Sequence, residues 1–117
     1  MKHRYCADFE TTTETEDCRV WAYSVTEIGN TKFFKYGTTI ESFMTLMKNH
    51  NESTFYFHNL KFDGEFIMIY LFRNGFTHTE EKILKDNQFS TLISDKGQFY
   101  SIRLIHRFTN NVTVLYD

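Results

Sequence analysis

Residues 4–10, RYCADFE, constrain this chain more than any other stretch. Tyr5, Ala7 and Phe9 alternate with Cys6, Asp8 and Glu10, which is the period of a β-strand with one apolar face. Side chains two apart on a strand share a face, so Asp8 and Glu10 point the same way, roughly 6–7 Å apart by strand rise. Two like charges held side by side raise the energy of both unless a cation stands between them. The polar run TTTET that follows has no such alternation. The pair therefore sits where a strand opens into a loop, a usual position for ligands in α/β folds.

The remaining elements follow from periodicity. Residues 18–27 and 32–36 read as strands joined at the turn dipeptide Gly29-Asn30. Thr38 and Glu41 have capping-box spacing, and Ile40, Phe43, Met44 and Met47 share one helical face. Residues 53–58, STFYFH, form an aromatic strand which, being reached through a helix, is expected to run parallel to an earlier one. Periodicity alone does not separate helix from buried strand in the apolar run 66–72. Its length, Asp63 at its start and Gly75 past its end favour a helix over 62–75. Strands at 89–94, 98–106 and 112–116 complete the order, with turns at 95–97 and 109–111.

Composition narrows the class. A chain of 117 residues with thirteen phenylalanines and no proline is expected to build one domain, residues 1–117, around a single core. No apolar run is long enough to span a bilayer and no signal-peptide core follows the start, so the expectation is a cytoplasmic protein with no membrane partner. A formal net charge of −2 announces no bulk attraction for nucleic acid. Cys6 and Cys18 read as buried thiols rather than a disulfide. With His3 they make a weak Zn²⁺ set whose spacing matches no common motif. Trp21 reads as core, and His50, His78 and His106 as surface or satisfied histidines.

A second constellation lies in YFHNLKFDGEF, residues 56–66. An aromatic strand delivers His58 and Asn59 to a short turn, and Asp63 enters near a helix N-terminus. Locally, Asn59 or Asp63 is as well suited to capping that helix. Taken together, DFETTT and YFHNLKFDG resemble the first and second exonuclease motifs of family B DNA polymerases, most closely the protein-primed polymerases of small tailed phages. EDCRVWAY, RNGF and VTVLYD extend the likeness along nearly the whole chain.

The resemblance implies an α/β fold of the ribonuclease H-like, DnaQ-type exonuclease class: a mixed sheet, two main helices and a C-terminal β-hairpin. It implies that Asp8, Glu10 and Asp63 are catalytic carboxylates binding Mg²⁺ or Mn²⁺, hard cations suited to oxygen ligands. It also implies that Thr11, His58, Asn59, Phe62 and Phe66 hold the 3′ end of single-stranded DNA. The family's third motif, a tyrosine three residues before an aspartate, has no counterpart after Asp63, and Tyr116 directly precedes Asp117. The expectation is thus an incomplete fold and a phage-derived, metal-binding protein that is non-catalytic as an isolated chain. It would act on a protein partner, such as a CRISPR effector or another nucleic-acid enzyme that it inhibits, with self-association as a further expectation. The competing expectation is the 3′–5′ proofreading exonuclease segment of a protein-primed polymerase, acting on single-stranded DNA.

Overall fold

Alternating side chains sort the first strand into two faces, and the rest of the fold is built on that sorting. The computed structural model describes residues 3–12, 19–50, 53–93, 100–106 and 112–117. Strand β1 (Arg4–Thr11) buries Tyr5, Ala7 and Phe9 and exposes Arg4, Cys6, Asp8 and Glu10. It pairs antiparallel with β2 (Val20–Glu27), which pairs antiparallel with β3 (Asn30–Gly37). The β2–β3 turn holds Gly29 at φ 89°, a conformation that a side chain would strain.

Helix α1 (Ile40–Asn49) buries Phe43, Met44 and Met47. Its N-cap is Thr39, one residue later than the capping-box spacing suggests. The Ser42 backbone N–H donates to Thr39 Oγ1 at 3.1 Å, so a serine stands where the box would want a glutamate. The strand that follows, β4 (Thr54–Phe57), runs parallel to β1 as the helical crossover requires. Helix α2 (Leu60–Arg73) starts two residues earlier than expected and buries Leu60, Asp63, Gly64, Ile67 and Leu71.

The expected C-terminal hairpin is present as an antiparallel strand pair, and it is built into the main sheet rather than standing apart from it. Among the described residues β5 (Thr77–His78), β6 (Gln88–Ile93), β7 (Tyr100–Ile105) and β8 (Val112–Tyr116) continue the same sheet, in the order β3-β2-β1-β4-β8-β7-β6-β5. Strand β8 lies parallel to β4, with Tyr56 opposite Tyr116. The short β5 has no signal in the sequence. The turns expected at 95–97 and 109–111 lie outside the described residues, as does Cys18.

Both helices pack on one face of the sheet, and aromatic rings fill the gap. Phe9 meets Phe43 and Phe57 edge-on at 4.8 and 5.2 Å, and Tyr5 stacks on Phe55 at 4.9 Å. Edge-to-face contacts of this kind add to the gain from burying the rings. The opposite face carries Cys6, Thr26, Phe34 and Tyr36, all exposed. The Cys6 thiol is therefore free and exposed rather than buried. His3 Nδ1 lies within hydrogen-bond distance of the Glu27 carboxylate, at 3.2 Å. His106, by contrast, is buried against the edge of Phe76. No helix among the described residues is long and apolar enough to cross a membrane.

Candidate metal centre and nucleic-acid interface

Three parallel strands, β1, β4 and β8, end at one edge of the sheet, the end of a parallel sheet at which ligands commonly bind. Each brings polar residues there. β1 ends through Asp8, Glu10 and Thr11, β4 runs into the exposed turn residues His58 and Asn59, and β8 is followed by Asp117. The register breaks between Glu10 and Thr11, whose partners Ala22 and Val20 leave Trp21 as an extra residue on β2.

Asp63 enters from α2, in its first turn, where the helix dipole favours an acid. It is nevertheless only 5% exposed, and burial pushes its carboxyl up to about 6. The charges of Asp8, Glu10 and Asp117 contribute to that rise, against the pull of a hydrogen bond to the Phe9 backbone. The sequence-predicted trio of Asp8, Glu10 and Asp63 is thus electrostatically coupled in the fold. Sequence reasoning set Asp117 aside for want of a tyrosine three residues earlier. Its place beside this edge follows from β8 lying next to β4, a pairing no local pattern reveals.

The donor chemistry fits a divalent cation. The trio offers hard carboxylate oxygens, and among the described residues no Lys or Arg ion pair neutralises them. No group of three His, Cys, Asp or Glu among the described residues already stands in metal-holding geometry.

The residues expected to hold a DNA end lie around this edge. Asn59 is the N-cap residue of α2, yet its side chain makes no capping hydrogen bond. Its backbone carbonyl accepts instead from the N–H groups of Phe62 and Asp63, at 3.1 and 2.9 Å. The amide side chain is therefore not consumed by the local capping role. Phe62 is exposed and meets Phe66 edge-on at 5.6 Å, while Phe66 is half-buried against the core. Thr11 is half-buried opposite Val20.

Trp21 corrects the sequence reading. It is 52% exposed, at the position of β2 that the pairing with β1 skips between Val20 and Ala22. Near the start of β2 it lines a groove of about 550 Å³ with the start of α1 and the outer side of α2. An extra residue of this kind interrupts the strand alternation, so the sequence pattern does not reveal the exposure of Trp21.

No family model matches the chain. Along its length it is nonetheless similar to phage DNA polymerases. Identity is 41% over 116 residues with the DNA polymerase of Bacillus phage Nf (97% of this chain, 20% of the relative). It is 41% over 124 residues with that of Bacillus phage phi29 (100% and 21%) and 33% over 113 residues with that of Streptococcus phage Cp-1 (86% and 18%). Among solved structures, phi29 DNA polymerase complexed with single-stranded DNA superposes with a TM-score of 0.89 at 38% identity, covering 100% of this chain and 21% of that one. The same polymerase with primer-template DNA and incoming nucleotide gives 0.86 at 39%, covering 100% and 20%. The chain spans about a fifth of the length of these relatives. They favour the polymerase-exonuclease expectation over that of an inhibitor, for which neither comparison offers a counterpart. By sequence and by fold, this chain matches the N-terminal fifth of the phi29-type protein-primed DNA polymerases, within their N-terminal exonuclease domain.

Proposed function

We propose that this chain is the metal-binding part of a 3′–5′ exonuclease unit that takes the 3′ end of single-stranded DNA, in the cytoplasm of the bacterial host. The observation that carries this reading is the placing of Asp8 and Glu10 at the end of β1, where their charges act on the buried Asp63 in the first turn of α2. A buried carboxyl that faces like charges is costly and marks a candidate functional site, and a divalent cation would relieve it.

Asp8, Glu10 and Asp63 would hold Mg²⁺ or Mn²⁺. When bound, such a cation supplies an activated water and stabilisation for the departing 3′ oxygen. The chain's own side chains do the positioning. Phe62 presents a ring on which a terminal base stacks, and His58, Asn59 and Thr11 offer polar contacts to the sugar-phosphate backbone. The likeness to a polymerase solved with single-stranded DNA supports the same substrate here.

Binding tests this directly. Without a cation the carboxylate edge repels a phosphodiester. Mn²⁺ is therefore expected to raise the affinity for a 5′-labelled oligothymidylate about tenfold or more, a gain of ~1.4 kcal/mol. Asp63→Ala should remove that gain. An affinity indifferent to Mn²⁺, or a gain that survives Asp63→Ala, would overturn the reading.

A further inference from the structure

Helix α2 presents a continuous outer stripe. Phe62, Phe66, Ile69, Tyr70 and Arg73 recur at helical spacing, spanning about 16 Å from Phe62 to Arg73 at helical rise. Phe66, Ile69, Tyr70 and Arg73 form one wall of the 550 Å³ groove, and Arg19, Val20 and Trp21 of the β2 end face them. This volume falls in the range of pockets that hold small ligands, about 300–1,000 Å³. The groove joins the candidate DNA-end site at two points. Phe66 is in ring contact with Phe62, and Val20 is the strand partner of Thr11.

We infer that this groove carries the single-stranded DNA upstream of its 3′ end, so that the binding site extends along α2 beyond the terminal nucleotide. The inference rests on the proposed function for the terminal site and adds the path that leads to it. Trp21 and Tyr70 supply aromatic faces, which accept any base. Arg19 and Arg73 bring two positive charges to a chain whose net charge is −2, and phosphate neutralisation is what binding of nucleic acid requires. Glu41 also lines the groove, near the N-terminus of α1. Its charge opposes a phosphate there, so the backbone is expected to follow the Arg73 side while the bases turn toward Trp21. A strand of alternating bases and phosphates matches aromatic side chains and arginines lining one groove.

The test uses a phosphorothioate octathymidylate, which resists hydrolysis, with Mn²⁺ present and a dithymidylate as the short comparison. Trp21→Ala and Arg73→Gln are each expected to weaken the octamer about tenfold, as the loss of a stacked base does. Both should leave the dimer unchanged, because it ends before the groove. Arg73→Gln should also flatten the salt dependence of octamer binding by about 0.7 in log–log slope. Phe62→Ala should weaken both ligands. Both side chains are exposed, so equal melting temperatures will verify folding. Octamer affinity unaffected by the Trp21 and Arg73 variants, or octamer and dimer weakened equally, would overturn the groove while leaving the terminal site standing. If binding of both ligands ignores Mn²⁺ yet the octamer still depends on Trp21 and Arg73, the terminal-site reading fails and the groove remains.

Discussion

The two sides of Phe9 show two different uses of one strand. Phe9 itself faces the helices, where it meets Phe43 and Phe57 and every contact lowers the energy. Its neighbours Asp8 and Glu10 face outward and act on Asp63 with charge of the same sign. The aromatic side stabilises the fold with no outside help, whereas the carboxylate edge is costly until something positive arrives. The difference teaches where to look for function: it lies where the chain tolerates a cost that its core must cover.

If this contrast is right, truncating the aromatic side should do the most damage. Phe55 is fully buried and stacked on Tyr5, so Phe55→Ala is expected to cost about 3–5 kcal/mol. Urea denaturation measures it. A loss under about 1 kcal/mol would mean that the rings are not the foundation they look to be.

The next effect has the opposite sign. Asp63 is raised from 3.8 to about 6, so its native form binds a proton more tightly than the unfolded chain does. Stability from this group is present below pH 3.8 and is lost as pH rises through 6. Asp63→Asn should therefore stabilise the metal-free protein at neutral pH by on the order of 1–3 kcal/mol, with the advantage growing between those two pH values. His106 slopes the other way. Burial, then the charge of Lys48, lowers it to about 4, so its stability is present above pH 6.5 and is lost as pH falls toward 4. In wild type the two slopes oppose each other, and Asp63→Asn should unmask the acid-side loss. Melting curves across this pH range check both signs.

Smaller effects sharpen the boundary between the regions. Thr39 caps α1 through its hydroxyl, and Thr39→Ala should cost about 1 kcal/mol. Phe62, exposed at the carboxylate edge, belongs to the site rather than the core. Phe62→Ala should shift stability by no more than about 0.5 kcal/mol while weakening DNA. A large loss of stability would move Phe62 to the structural side of the comparison.

Much of this was legible in the sequence because it is local. Alternation of Tyr5, Ala7 and Phe9 identified both the strand and the shared face of Asp8 and Glu10. The helical crossover gave the parallel pairing of β4 with β1. Long-range placement was not legible. Asp117 reaches the site only because β8 enters the sheet beside β4, and nothing near VTVLYD specifies that neighbour. Trp21 was misjudged for a related reason. It is the residue of β2 that the pairing with β1 skips, and such a bulge depends on the partner strand rather than on the local pattern.

The central claim is that the carboxylate edge is a cation site, and a thermal titration with Mn²⁺ tests it most directly. Binding to the native state alone should raise the melting temperature of the wild type by about 5 °C or more once the metal far exceeds its dissociation constant. Asp63→Asn should begin at a higher melting temperature without metal and then rise by little or nothing. A wild type that ignores millimolar Mn²⁺, or a variant that gains as much from it as the wild type does, would contradict the account.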